Sequence, residues 1–321
     1  MEKNTADNQE VLHEEVEKHF VDEASFVKAL DLEVILSKKG QIVLCTSGAN
    51  RPGLFLAGYS DYFAESRVQV LGKAEMSFLL TLSNKKRQEV LEKLFTKEIP
   101  CLIISRALEP LPEMLELGKK YNKAIYLTKE ITSKFIGSLL FYLSRLLALT
   151  TQRHGVLVDV FGTGVLIFGD SGIGKSEAAL ELVHRGHRLV SDDIVELKNI
   201  DDMLLGSSPD LIRHFMEIRG VGIIDVRAIY GVGSILNEKK VELVIVLESW
   251  DYNKSYERVG KELRQEEILG INIPKLTIPV LEGRNIAIVI EVAVRDFVLK
   301  KGGYNSAMLL DERLISRKNI F

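Results

Sequence analysis

The sequence predicts a two-part α/β protein, a Rossmann-like α/β domain followed by a phosphate-loop domain of α/β type. Three observations carry this. Apolar strand-like runs alternate with amphipathic helical stretches between Glu23 and Tyr126. A glycine-rich G-x-x-x-x-G-K-S loop then stands between an apolar run and a helix-forming run in the second half. The 321 residues, 46% hydrophobic and 27% charged, are enough to give each part its own core.

Taken in order, residues 1–22 open polar and acidic (MEKNTADNQEVLHEEVEKHF), with no apolar signal-peptide core, and are expected to form a mobile leader. Residues 23–130 form the expected N-terminal domain. Strands are predicted at Glu33–Ser37, Ile42–Cys45, Cys101–Ile104 and Ala124–Leu127, and helices at Asn84–Phe95 and Leu111–Tyr121. The apolar stretch Phe135–Leu149 contains Arg145 and is too short to span a bilayer, so Thr132–Leu149 reads as a helix within a connecting segment 131–152. Residues 153–321 form the second domain. Its predicted strands are His154–Val160, Val165–Phe168, His187–Val190, Ile223–Val226, Val241–Glu248, Lys275–Val280 and Ile286–Val292. Helices are expected at Glu291–Lys301 and near Ala307–Ser316, separated by Gly302-Gly303.

Composition excludes some classes. A net charge of −3 with no Lys/Arg block argues against a nucleic-acid binder. Cys45 and Cys101 lie in apolar stretches without metal-ligand spacing; a disulfide is possible on number alone, but buried free thiols in a reducing cytosol are the expected state. With neither a signal-peptide core nor a spanning segment, a cytoplasmic protein with no membrane partner is expected.

The loop Gly169-Asp170-Ser171-Gly172-Ile173-Gly174-Lys175-Ser176 fixes the ligand class as a nucleoside triphosphate with Mg²⁺. Glycines let consecutive N–H groups turn toward phosphate oxygens, and the following helix aims its N-terminus at the anion. Lys175 suits the outer phosphates, and the Ser176 hydroxyl suits the metal. Asp192 and Asp193 close the next predicted strand, where a carboxylate can hold Mg²⁺ or take a proton. Solvated or capping aspartates are the alternative. Glu217 and Arg219 precede a glycine turn, and Glu217 fits a second oxygen ligand, although an ordinary β-turn with a salt bridge explains the pattern equally well. His154, taken alone, reads more readily as a structural histidine than a catalytic one, although a histidine can contact a phosphate or tune an adjacent carboxylate. The polar stretch Trp250–Glu262 reads as a loop over a site, with Arg258 within reach of a transferring phosphoryl group, or as a plain surface loop.

Assembled, these segments resemble the HPr kinase/phosphorylase family over about residues 25 to 315. The resemblance rests on NRPGL (Asn50–Leu54), QVLGKAE (Gln69–Glu75), HGVLVDV (His154–Val160), GDSGIGKS, RGHRLVSDD (Arg185–Asp193), EIRGVGIIDV (Glu217–Val226) and GRNIAIVIEVAV (Gly283–Val294). It implies a C-terminal P-loop kinase domain that phosphorylates a serine of the carrier protein HPr with ATP. The same site reverses the reaction with inorganic phosphate, giving pyrophosphate. It further implies His154 and Lys175 as active-site residues and Asp192 as proton acceptor forward and donor in reverse. Ser176 and Glu217 are implied as magnesium ligands, and Arg258 as an active-site arginine. A homo-hexamer is implied too, with the helix Ala307–Ser316 helping to hold HPr. Pro279–Arg284 matches a motif tied to dephosphorylation, but Glu282 stands where the family usually has proline. Two other readings share the loop: a P-loop kinase acting on a small metabolite, and a nucleotide sensor without turnover. No H-R-D or D-F-G string supports a eukaryote-like protein kinase.

Overall fold

The computed structural model describes residues 18–251, 264–281 and 283–318. The chain divides into two compact units, Met1–Leu147 and Ala148–Phe321.

In the first unit the strands are β1 (His19–Val21), β2 (Glu33–Leu36), β3 (Ile42–Leu44), β4 (Ala49–Asn50), β5 (Val68–Leu71), β6 (Cys101–Ile104) and β7 (Ala124–Leu127). Its helices are α1 (Glu23–Ala29), α2 (Gly53–Leu56), α3 (Lys73–Thr81), α4 (Asn84–Phe95), α5 (Pro112–Tyr121) and α6 (Thr132–Leu146). The main sheet has the order β2-β7-β6-β5-β4, parallel except for β2. Its central strands are buried along their whole length (VQVL, CLII), as a sheet covered on both faces requires. Helix α4 begins where the Ser83 side chain accepts a hydrogen bond from Lys86 N–H. Both cysteines are free, and burial pushes the Cys101 thiol up to about 12.

The second unit contains β8 (Leu149–His154), β9 (Val156–Val160), β10 (Thr163–Gly169), α7 (Lys175–His184), β11 (Arg188–Ser191), β12 (Ile194–Ile200), β13 (Met203–Ser207), β14 (Phe215–Ile218), β15 (Gly222–Asp225) and α8 (Val226–Tyr230). It continues with β16 (Glu238–Lys240), β17 (Leu243–Ser249), β18 (Arg264–Ile268), β19 (Ile271–Val280), α9 (Ile286–Lys301) and α10 (Ser306–Lys318). A six-stranded sheet runs β11-β9-β10-β17-β19-β18, and a four-stranded sheet runs β16-β13-β12-β8.

Alternation along the six-stranded sheet explains its two coverings. Val156, Val158, Val165, Ile167 and Ile245 face α7 and α9, which contribute Ala179, Leu182, Ile290 and Val294. Leu157, Leu166 and Val244 face the other way, onto Val195, Leu197 and Leu204 of the four-stranded sheet. Each such buried side chain contributes about 1.5–3 kcal/mol.

Three expectations change. The helix predicted through Leu149 ends at Leu146, and Leu149–His154 pairs with β12, so the connecting helix does not reach 152. The run His154–Val160 is two strands, because Gly155 passes against β10, where a Cβ would lie 2.8 Å from the Ile167 carbonyl oxygen. Ile286–Val292 is the start of α9 and not a strand. Its β-branched residues suggest a strand, but Asn285 Oδ1 caps Ile288 N–H at 3.1 Å. Burial then follows the helical spacing Ala287, Ile290, Val294, Phe297.

Candidate active site

Strand β10 ends at Gly169 and α7 starts at Lys175, so GDSGIGKS is the turn between them. Gly174 caps α7 at φ +97°, and Gly172 sits at φ +83°, conformations that side chains disfavour. A Cβ on Gly172 would also lie 2.7 Å from Arg219 Nη1, so the arginine packs directly on the loop. Lys175 folds back over the turn, its ammonium donating to the carbonyls of Gly169 (2.8 Å) and Asp170 (3.0 Å).

A cavity of about 530 Å³ opens over this loop. Besides the loop, it is lined by His154, Asp192, Asp193, Glu217 and Arg219. Four separated sequence segments thus converge on one pocket, and the open alternatives for Glu217, Arg219 and His154 narrow to positions on its wall.

The two aspartates occupy different environments. Asp192 follows β11 and is 5% exposed. Ser176 Oγ donates to its Oδ1 at 2.8 Å, and the Glu217 amide donates to its Oδ2 at 3.2 Å. Burial raises its pKa above the usual carboxylate range, and those two hydrogen bonds temper the rise. Asp193 takes the left-handed conformation at φ +67°, which turns its side chain away from its neighbour's. Its carbonyl accepts from Gly155 N–H at 2.9 Å. Its carboxylate, 72% exposed, meets His154 Nδ1 at 3.5 Å. The β8–β12 register sets this meeting, since His154 lies opposite Ile194, the residue after Asp193.

Glu217 is exposed on β14, whose hairpin with β15 turns at Arg219-Gly220. Its backbone fastens the hairpin to Asp192, leaving its carboxylate at the cavity wall. The donor set Ser176, Asp192 and Glu217 is all oxygen, the chemistry Mg²⁺ takes when it keeps several waters and phosphate ligands. Arg258 lies outside the described residues, as does Glu282. The residue that sequence reasoning undervalued is Asp193. Adjacent acids read as one feature, and only the backbone reversal between them separates their surroundings.

Among the described residues, no helix is long and apolar enough to cross a membrane. Two family models match the chain, HPr Serine kinase N terminus over residues 21–143 and HPr Serine kinase C-terminal domain over residues 145–314. The HPr kinase/phosphorylase of Caldanaerobacter subterraneus subsp. tengcongensis is 48% identical over 295 residues, covering 91% of this chain and 97% of that protein. The HPr kinase/phosphorylase of Bacillus cytotoxicus is 46% identical over 292 residues, covering 90% and 94%. Among solved structures, the Hpr(Ser) kinase/phosphatase from Coxiella burnetii aligns at 37% identity with a TM-score of 0.45, over 47% of this chain and 99% of that one.

Proposed function

The chain belongs to the HPr serine kinase family, and from that premise we propose that it moves a phosphoryl group between ATP and a serine of HPr in both directions. The observation that carries the reading is the convergence, in one cavity, of the phosphate loop, a buried aspartate on the loop serine and an exposed aspartate on a histidine. Forward, the serine hydroxyl loses its proton to a carboxylate while its oxygen attacks the γ-phosphorus, the bond to the bridging oxygen breaks, and ADP leaves. In reverse, an oxygen of inorganic phosphate attacks the phosphoserine phosphorus. The same carboxyl group returns the proton to the departing serine oxygen, and pyrophosphate leaves.

Two aspartates compete for the proton. The family resemblance assigns it to Asp192. The geometry favours Asp193, because both oxygens of Asp192 already accept hydrogen bonds and its side chain is buried, whereas Asp193 faces the cavity. We therefore assign the proton transfer to Asp193, with His154 orienting its carboxylate. Ser176, Asp192 and Glu217 are the residues that would hold Mg²⁺, which when bound offsets charge on the phosphates. A carboxylate buried against the loop hydroxyl suits that task better than proton transfer. Lys175 turns from its carbonyl partners to the outer phosphates, and Arg258 adds a second positive charge. A positioned base contributes about 10²–10⁴ in rate. The same reading makes the protein a cytoplasmic homo-hexamer whose helix α10 helps to hold HPr.

Purified protein with HPr, Mg²⁺ and γ-labelled ATP should place label on an HPr serine, and added phosphate should then release labelled pyrophosphate. Label appearing on a small metabolite, with HPr unlabelled, would overturn the reading.

A further inference from the structure

A second cavity, of about 500 Å³, lies in the C-terminal unit and shares no lining residue with the first. Its floor is hydrocarbon: Leu204 and Val241 are fully buried, and Ile273 and Phe297 nearly so. Ile271 and Pro274 add to that floor. The rim is charged, with Lys240, Lys300 and Lys301 against Asp202 and Glu242.

Topology puts this cavity at the far end of the six-stranded sheet from the phosphate loop. Strands β10 and β17 are parallel, with Gly169 opposite Leu247, so the loop sits beyond the end of β17. Val241 and Glu242 precede the first residue of β17. Strand β19 likewise runs from the cavity, at Ile271–Pro274, toward the loop end, at Val280. Helix α9 returns its last turn, with Phe297, Lys300 and Lys301, to the cavity after roughly 24 Å of helix. A ligand here cannot touch the reacting phosphates, so the cavity is separate from the substrate site.

The lining sets the class of ligand. Two of the lysines are already neutralised, Lys300 by Asp296 at 2.7 Å and Lys301 by Glu242 at 3.1 Å. Lys240 makes no ion pair among the described residues. Lys300 and Lys301 each have a carboxylate of their own and Asp202 adds negative charge to the rim, so the cavity offers an anion only the Lys240 ammonium, too little for a polyanion, while the floor rewards buried hydrocarbon. We propose that this cavity binds a small monocarboxylate with a compact branched or aromatic hydrocarbon body, its carboxylate on Lys240. The proposal is independent of which substrate the catalytic cavity phosphorylates.

The test is a ligand-observed NMR titration of the full chain, its catalytic cavity saturated with a non-hydrolysable ATP analogue and Mg²⁺. The probes are 4-methylpentanoate and 3-phenylpropanoate, with 4-methylpentan-1-ol as the uncharged comparator. At least one carboxylate should saturate with a Kd of about 0.1–1 mM, ordinary for a ligand of roughly ten heavy atoms. The alcohol, and the carboxylates on a Lys240→Glu variant, should bind at least about tenfold more weakly, and Lys240→Arg should restore affinity. Absence of saturation by both carboxylates up to about 10 mM overturns the proposal, as does indifference to Lys240→Glu. A changed molar mass of Lys240→Glu in light scattering would instead assign the cavity to a neighbouring copy of the chain, and would equally overturn it.

Discussion

Ser176 Oγ and Asp192 Oδ1 lie 2.8 Å apart, joining the phosphate loop to the end of β11 through a part-buried hydrogen bond. One residue further on, Asp193 is exposed and faces His154. Adjacent acids thus occupy two environments that the sequence presents as one feature.

The division predicts separable kinetic defects. Asp193→Asn should lower serine phosphorylation and phosphorolysis by about 10²–10⁴ while nucleotide affinity stays within about twofold, because only the proton acceptor is lost. Asp192→Asn should weaken Mg²⁺-nucleotide binding as well as turnover. Steady-state kinetics with HPr and direct titration of an ATP analogue distinguish them. Full turnover in Asp193→Asn, with the loss confined to Asp192→Asn, would return the proton to Asp192.

Burial of Asp192 also carries a pH signature. Its pKa is raised in the folded state, so the folded protein binds the proton more tightly than the unfolded chain does. The favourable contribution is therefore complete below the ordinary carboxylate range and is lost as pH rises through the raised value. Asp192→Asn keeps an acceptor for Ser176, sets its NH2 against the Glu217 amide and removes the ionisation. In metal-free buffer the Tm difference, variant minus parent, should therefore rise from about pH 4 to pH 7, on top of a fixed cost for the lost Glu217 hydrogen bond. A difference that instead rises on acidification would show that the carboxylate is stabilised as the anion.

Lys175 donates to two loop carbonyls at 2.8 and 3.0 Å, one exposed and one part-buried beside the open cavity, where water can take its place, so its removal should cost less stability than phosphate affinity. A charged hydrogen bond is worth roughly 1.5–3 kcal/mol, so Lys175→Met should weaken ATP and inorganic phosphate binding about 10- to 100-fold. Calorimetric titration with each ligand measures this. Unchanged affinity for both would remove the ammonium from the phosphate site.

The parts of the fold legible in the sequence are those where local pattern and tertiary burial agree. Helix Asn84–Phe95 and strands Cys101–Ile104 and Ala124–Leu127 fall at their expected bounds because a cap or a fully apolar run marks them. The phosphate loop was legible for the same reason. The four-stranded sheet was not, since β12 mixes Glu196, Lys198 and Asn199 with apolar residues and gains its identity only by pairing with β13 and β8. Helix α9 misled because Ile286, Ile288 and Val289 favour strands, whereas the cap at Asn285 and the stripe against α7 decide for helix. In the site, residue types were readable, but the environment separating Asp192 from Asp193 depends on one φ angle and on the Glu217 amide arriving from a distant hairpin.

The remaining departure from the family pattern gives a final prediction. By the family resemblance, Glu282 stands where proline is expected, in the segment between β19 and α9 and adjoining Gly283 and Arg284. Strand β19 ends beside β17, with Val280 opposite Ser249, at the sheet end where the phosphate loop also lies. A carboxylate brought near phosphate adds like charge, about 1 kcal/mol for a pair 4 Å apart in water, and glutamate lacks the fixed φ of proline. Glu282→Pro should therefore speed phosphorolysis of phosphoserine-HPr by roughly 3- to 10-fold, with a smaller effect on the kinase direction. Pyrophosphate release and serine phosphorylation, measured side by side at fixed phosphate and ATP, provide the comparison. Equal phosphorolysis rates in the two proteins would show that neither the charge nor the lost constraint limits the reverse reaction.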